Sequence, residues 1–584
     1  MSKTKCEETK VSNFKPIFDR IDCDAGIIFV DTPEETRLIR EIFRQYKDDS
    51  VQFWSIGQGL HEIERRKVNV DRFYPHKFPS EQARMGKKNL DTKANPINMF
   101  AVIEEDCRDK VKPNDAPDRK HIYILRDLDK FLKDPVILRR LKDLVYLCAT
   151  ACSCVIITGY GITVPMDLEK DAVFIKLKYP TREEIIDGII KATRDQITEH
   201  NKVSAPKDKI DDKFDDEEVA RACAGLTEDQ ILNTLQYSMT VYNKVDIATI
   251  IEEKRSIINK SDILEYWNCS DGLDSVGGFK KIKDWMAVQK MVMHNIDNAK
   301  EFKTEPPKAV MILGVQGSGK TFCAKAIAQD LKVSLLKFEI GKVFAGLVGE
   351  SEKRMRQALT LADAVGGVVV IDELDKGLSG AGSSDKTDGG TTSRVIGSML
   401  TWLNEDHPGL LLIATANDIT SLRRNHPELL RKGRFDEIWF SDVPNAEERE
   451  EIFRIHIIKR GRNPENFDLK KLAAQEFKGN DGQTYTFTGA EIESAIKDAL
   501  RNKFALGGGK RIEIGSKDDI NTDDIVAVLD KLKPITMIGK ETISGMRKWS
   551  EDNANNVSAG IAKVTKKSGS KNKVNLRSDE EVIL

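Results

Sequence analysis

Short apolar runs alternate with helix-like segments along most of the chain, the pattern of α/β units built on parallel sheets. In the first half the runs fall at residues 26–30, 122–125, 155–157 and 173–177. In the second they fall at 309–313, 335–338, 368–371, 410–414 and 437–440. Most show no polar alternation, as expected of strands covered on both faces. A charged stretch at 202–218 reads as a solvated linker leading into helices as far as about Trp267. From Ala446 to about Leu532 the pattern turns helical, without a strong strand run. Beyond Asn553 the chain is rich in Lys, Ser, Asn and Gly and is expected to be disordered.

Composition narrows this picture. With 92 Lys plus Arg against 94 Asp plus Glu, the net charge of −2 argues against a surface built for bulk polyanion binding. An apolar content of 40% supports globular folding, so wholesale disorder is excluded. Nine cysteines over this length do not form a disulfide framework, and Cys148, Cys152 and Cys154 read as free thiols rather than zinc ligands. The first twenty residues are charged and lack an apolar core, and no apolar run approaches a membrane span. The expected location is the cytoplasm or an organelle stroma.

Candidate chemistry concentrates in the second half. Gly314-Val-Gln316-Gly317-Ser318-Gly319-Lys320-Thr321 follows an apolar run and opens a helical segment through Phe322, the context of a phosphate-binding P-loop, or Walker A motif. Its glycines let backbone N–H groups curl toward phosphate oxygens, and the helix start adds partial positive charge. Lys320 would reach the β- and γ-phosphates of ATP, and the Thr321 hydroxyl would hold Mg²⁺. About fifty residues on, four apolar residues deliver Asp372 and Glu373 to a strand end, the Walker B arrangement. Asp372 suits the magnesium shell and Glu373 the attacking water. Asn417, at the end of a further strand, suits a water-holding amide, although Asn is also ordinary turn chemistry. Arg431 and Arg434 flank a Gly before the last strand and suit arginine fingers acting on a neighbouring subunit, or else a basic surface loop.

Together with Val276-Gly277-Gly278-Phe279 and Gly349-Glu-Ser-Glu352, these residues resemble the AAA subgroup of the AAA+ ATPases. Thr488-Gly489-Ala490-Glu491 is similar to that subgroup's sensor-2 region, which lacks a sensor-2 arginine. Residues 344–352, 399–405 and 428–437, with 546–549 near the C-terminus, most resemble the hypothetical chloroplast open reading frame forty-six family of cyanobacteria and plastids. The resemblance implies ATP hydrolysis with Mg²⁺, an ATP-dependent homo-oligomer, expected to be a hexamer, and a protein client. It adds Gly277, Gly489 and Ala490 to the nucleotide-contacting residues. One departure concerns the central pore: the aromatic of ring translocases is replaced by Leu347 in Gly346-Leu347-Val348-Gly349. Residues 377–393, with five Gly and seven Ser or Thr, fall at the second pore loop, or form a plain mobile loop.

An internal comparison extends the reading to the first half. Residues 122–130 align without gaps onto 368–376, placing Arg126 where Asp372 stands. Pro180-Thr-Arg-Glu-Glu likewise matches Pro444-Asn-Ala-Glu-Glu. After the first strand, Val30-Asp31-Thr32-Pro33-Glu34 has neither Gly nor Lys, so no P-loop is possible. The first half is therefore either a degenerate AAA-like domain or an unrelated α/β domain, catalytically silent in both cases. Residues 58–95 carry a basic, aromatic-bearing insertion (Arg65, Arg66, Lys67, Arg72, Tyr74, His76, Lys77), read as a solvated loop in preference to a nucleic-acid patch.

The expected fold is α/β: an AAA+ P-loop NTPase parallel sheet with a helical lid, preceded by a second α/β domain. The expected divisions are 1–200 (silent α/β domain), 201–270 (helical linker), 271–445 (large ATPase subdomain), 446–540 (helical lid) and 541–584 (closing helix and tail). The leading function is a ring ATPase that remodels or regulates a protein partner. A slowly hydrolysing, nucleotide-dependent scaffold or switch is the alternative, with a nucleic-acid-handling ATPase disfavoured by the charge balance.

Overall fold

A computed structural model of the chain describes residues 13–47, 49–62, 94–110, 120–205, 209–260, 263–344, 350–379, 391–405, 407, 409–507, 509 and 513–558. The insertion residues Arg65 to Lys77, the pore segment 346–349, most of the second pore loop and the terminal tail lie outside them. By internal contacts the chain forms two compact units. One holds Met1–Asn268, Val333–Ile371 and Gly377–Leu412; the other holds Cys269–Lys332, Asp372–Lys376 and Ile413–Leu584.

The first sheet contains β1 (Ile27–Asp31), β2 (Ser50–Trp54), β3 (His61–Glu62), β4 (His121–Arg126), β5 (Ser153–Gly159) and β6 (Ala172–Lys176), in the order β3-β2-β4-β5-β1-β6. All pairs are parallel except the short β2–β3 edge. Because strand side chains alternate faces, each strand feeds two cores. Ile27, Phe29, Tyr123, Leu125, Val155 and Ile157 line one, whereas Ile28, Val30, Ile122, Ile124, Cys154 and Ile156 line the other. Helices α1 (Glu35–Gln45), α2 (Pro96–Lys110) and α3 (Pro135–Thr150) supply covering residues such as Leu38, Phe100 and Leu141. The strand 50–54 has no counterpart among the expected runs, because Gln52 interrupts its apolar character.

After a π-helical turn (Ile185–Ile190) come α4 (Lys191–Val203), α5 (Asp216–Cys223), α6 (Glu228–Tyr242) and α7 (Ile247–Ile258), which share their own core around Ile189, Val219, Leu226, Ile231 and Ile250.

The second sheet has the order β15-β12-β8-β11-β10-β9-β7. Its strands are β7 (Leu264–Tyr266), β8 (Ala309–Gly314), β9 (Leu335–Phe338), β10 (Gly367–Ile371), β11 (Leu410–Ala416) and β12 (Glu437–Ser441), with β15 (Asn555–Asn556) at one edge. A two-stranded hairpin, β13 (Phe477–Lys478) with β14 (Thr484–Tyr485), interrupts the otherwise helical stretch after Ala446. The helices in this half are α8 (Lys280–His294), α9 (Lys320–Leu331), α10 (Glu350–Val365), α11 (Thr391–Leu403), α12 (Ala446–Lys459), α13 (Gly489–Leu506), α14 (Thr522–Leu529) and α15 (Lys540–Asn553). Disorder expected directly after Asn553 is corrected at its start. Asn555 and Asn556 pair with β12, Asn555 Nδ2 donates to Glu437 Oε2 at 2.6 Å, and Val557 is buried. No helix among the described residues is long and apolar enough to cross a membrane.

Omitting edge strands, the first sheet runs β2-β4-β5-β1-β6 and the second β9-β10-β11-β8-β12. Numbered within each set, both read second, third, fourth, first, fifth, so the strands ending in Arg126 and in Ile371 hold the same place. The likeness extends to detail. Asp127 and Glu373 both sit in the left-handed region, at φ 55° and 50°, a conformation costly for residues with a Cβ. Each pairs with a lysine three residues on, Lys130 at 2.6 Å and Lys376 at 2.7 Å. Thr181–Glu184 and Asn445–Glu448 form matching capping boxes at the helix after the fifth strand.

The charges, by contrast, are exchanged. Lys320 opens the helix after β8, whereas Glu35 opens the helix after β1. The Arg126 guanidinium donates from Nε and Nη2 to Glu35 Oε2 at 2.9 and 2.8 Å, and Thr158 Oγ1 donates to Glu35 Oε1 at 2.9 Å. A carboxylate thus stands at the helix start of the first sheet, where Lys320 stands in the second. Removing either partner leaves a mostly buried charge alone. Glu35→Gln and Arg126→Gln should each destabilise the chain by about 2 kcal/mol, and together by less than the sum. Urea unfolding of the four proteins measures this; strict additivity would show that the pair is uncoupled.

Candidate functional site

The site is assembled inside the second compact unit. At the end of β8 the chain turns through Gly314, where a Cβ would stand 2.0 Å from the Ser441 carbonyl oxygen, so only glycine fits. Gly317 and Gly319 follow with φ of 81° and 98°. Ser318 is held by the Ser441 hydroxyl at 2.8 Å, and Ala490 N–H donates to the Gly317 carbonyl at 3.1 Å. The start of α13, capped by Thr488 with Glu491, therefore braces the loop from outside.

Lys320 is buried and its ammonium donates to the Gly314 and Val315 carbonyls at 3.0 and 2.8 Å. Burial lowers its pKa to about 8, against the opposing pull of Asp375, Asp372 and Glu373. Thr321 Oγ1 and Thr415 Oγ1 both donate to Asp372 Oδ1, at 2.7 and 2.6 Å. Thr415 Oγ1 in turn accepts the Glu373 N–H at 3.0 Å. Glu373 Oε1 accepts from Asn417 Nδ2 at 3.2 Å. Asp375 takes the N–H groups of Asn417 and Asp418 at 3.2 and 3.1 Å, which fixes the turn carrying that amide.

A cavity of about 450 Å³ opens over these groups, within the ~300–1,000 Å³ typical of small-ligand sites. Gly277, Gln316, Gly317, Ser318, Gly319, Lys320, Thr321, Phe322, Asp372, Glu373, Asn417, Gly489 and Ala490 all line it. Gly314 does not; it shapes the turn. Arg431 is exposed and neither it nor Arg434 lines the chain's own cavity. A hydroxyl and a carboxylate oxygen in contact, Thr321 with Asp372, are the hard donors that Mg²⁺ takes alongside phosphate oxygens and water.

Sequence reasoning missed the far wall. Ile452, Ile455, His456 and Lys459 project from α12 at helical spacing, with Glu493 from α13 and Phe279 opposite. Burial holds His456 below the ordinary histidine range. The Lys459 ammonium lies 4.8 Å over the Phe322 ring and pairs with Asp271 at 2.9 Å. Their i, i+3, i+4, i+7 spacing was the available signal, but it looks like any half-buried helix face. Of the cysteines singled out by the sequence, Cys148 and Cys154 are buried and Cys152 is half-buried, all with free thiols.

Residues 310–443 match the family described as ATPase family associated with various cellular activities (AAA). Residues 16–177 and 182–261 match the N-terminal and second domains of SpoVK-like AAA ATPases. The AAA domain-containing protein ycf46 of Pyropia yezoensis is 32% identical over 489 residues, 83% of this chain and 90% of the relative. Its counterpart in Trieres chinensis is 29% identical over 531 residues, 90% of this chain and 93% of that protein. The proteasome-activating nucleotidase of Sulfurisphaera tokodaii is 26% identical over 314 residues, 52% of this chain and 73% of the relative.

The depressed Lys320 pKa has a consequence with a definite sign. Above pH ~8 the free site loses its ammonium charge, and phosphate binding must draw a proton back. ATP affinity should therefore fall as pH rises through about 8, with net proton uptake on binding in calorimetry. Lys320→Arg, charged throughout, should lose that dependence; the same slope in the variant would assign it to another group.

Proposed function

The chain belongs to the AAA ATPases, in the group of the ycf46 AAA-domain proteins, and from that premise we propose that it hydrolyses ATP with Mg²⁺ to remodel or regulate a protein partner. The observation that carries the reading is the contiguous set Thr321–Asp372–Thr415–Glu373–Asn417, joined by hydrogen bonds of 2.6 to 3.2 Å. Thr321 and Asp372 would hold the metal, which would neutralise phosphate charge. Lys320 releases its two loop carbonyls and turns to the β- and γ-phosphates. Glu373 accepts a proton from the attacking water while Asn417, already on its carboxylate, holds that water in line. The P–O bond to the leaving ADP breaks as the bond to water oxygen forms, with no covalent intermediate on the chain.

Arg431 and Arg434 lie outside their own chain's cavity, which supports a role as fingers on a neighbour's γ-phosphate. That requires a closed homo-oligomer, and a ring of six suits the reading. The client is a protein in preference to a nucleic acid, given the balanced charge, and the setting is the cytoplasm or an organelle stroma. Leu347 at the pore position favours a second reading, slow hydrolysis in a nucleotide-dependent scaffold.

Glu373→Gln should bind ATP yet lose hydrolysis by about 10²-fold or more. With ATP it should accumulate as an assembled oligomer in light scattering; a monomer at high protein concentration would contradict the interface site. Subunits carrying Arg431→Ala and Arg434→Ala should recover turnover when mixed with Glu373→Gln subunits, because each supplies what the other lacks. A mixture as inactive as its components would show that the arginines do not act across an interface.

A further inference from the structure

The N-terminal copy has lost its phosphate chemistry, yet its open sheet end is occupied. Gly161, just after β5, has φ 68°, and a Cβ there would stand 2.3 Å from Lys353 Cε and 2.9 Å from Gln357 Nε2. Lys176, the last residue of β6, donates to the Thr360 hydroxyl at 2.5 Å. Lys353, Gln357 and Thr360 are spaced i, i+4 and i+7, so they form one face of α10. Asp129 adds a buried Oδ1 without a hydrogen-bond partner, and Lys353 is among the charges acting on it. Its counterpart Asp375 receives the N–H groups of Asn417 and Asp418, whereas Asp129 takes that of Lys130. Gly161 and Lys176 thus meet a helix of the same compact unit.

The far end of α10 is held as closely. Gly225, between α5 and α6, has φ 81°, and a Cβ there would lie 2.4 Å from Val365 Cγ2 and 2.7 and 2.8 Å from the Val365 Cα and N. Val365 ends α10. Gly366 and Gly367, at φ 66° and 90°, then turn the chain directly into β10. The strand is pinned at its first residues, Gly367 N–H to the Gly409 carbonyl and Val368 N–H to the Ser334 carbonyl, both at 2.8 Å. Four residues later the same strand releases Asp372 and Glu373.

We infer that the N-terminal half is a fixed seat for α10, and that through this helix and β10 it sets the position of Asp372 and Glu373. Lys176, Lys353 and Gly225 are positioning residues for hydrolysis, acting through the strand without touching nucleotide. The Glu35–Arg126 pair ties the helix start of the N-terminal half to its sheet with the chain's own charges. This inference rests on the ATPase reading, and it differs from it in what it requires. Nucleotide binding by the P-loop should survive loss of the seat, while the chemical step should not.

The test uses the full chain with Lys176→Ala/Lys353→Ala and, separately, Gly225→Ala. Three quantities are read: amide exchange of residues 350–365, ATP affinity and kcat. The seat predicts exchange in α10 rising about tenfold or more, kcat falling about fivefold or more, and the ATP Kd staying within about twofold. Unchanged exchange in both variants would overturn the seat. Raised exchange with unchanged kcat would overturn the coupling, and parallel losses of kcat and affinity would reduce the residues to general stability. Should Gly225→Ala fail to fold, the lysine pair alone decides. A wild-type chain that binds ATP without hydrolysing it would refute the ATPase reading itself, and exchange would then judge the seat on its own.

Discussion

One carboxylate oxygen holds the working site together. Asp372 Oδ1 accepts hydroxyls from Thr321, on the helix of the phosphate loop, and from Thr415, at the end of β11. Three stretches distant in sequence converge on that atom, and bonds to a charged carboxylate are the strong ones. Thr415 passes the constraint onward by taking the Glu373 N–H, which stabilises the left-handed backbone there. The strain of a non-glycine residue at φ 50° is thus held in place by a bond to the next strand. Lys376 and Asn417 then fix the carboxylate itself. The Glu373 carboxylate is thus oriented before any substrate arrives, the preorganisation that the proposed hydrolysis would use to lower its barrier.

The first half shows the same frame turned to another end. Its strand order, its left-handed residue after the third strand and its capping box repeat those of the second half, yet the helix start is acidic and the strand end basic. Thr158 stands opposite Arg126 in register and bonds Glu35, as Thr415 bonds Asp372. The exchange keeps a cross-link between helix and strand and puts a carboxylate where the second half has Lys320. Sheet topology and charge pairing are thus separable features of the frame.

Much of this was legible in the residues. Gln316 to Thr321 of the P-loop, with Asp372 and Glu373, announced themselves because their chemistry demands fixed types at fixed spacing; they line one cavity together with Asn417, whose type and place alone also suit a plain turn. Buried parallel strands were visible as unbroken apolar runs, such as 410–416. The gapless match of 122–130 to 368–376 foretold a shared sheet position. Less visible were features set by long-range packing. Nothing local marks β15, whose two asparagines become a strand only by pairing with β12. Nothing local links Gly225 to Val365, since a glycine's reason lies in the backbone facing it. The wall of Ile455, His456 and Lys459 was hidden for the same cause: ordinary helix-face residues become a site only when α12 folds across the loop.

The central claim is that one half of the chain holds nucleotide while the other carries a frame whose phosphate end is closed by its own glutamate. Equilibrium binding of Mg-ATP to the full chain, beside its Lys320→Ala variant, tests this most directly. The account predicts one nucleotide per wild-type chain and none in the variant. A second nucleotide in the wild type, or one retained after Lys320→Ala, would contradict it.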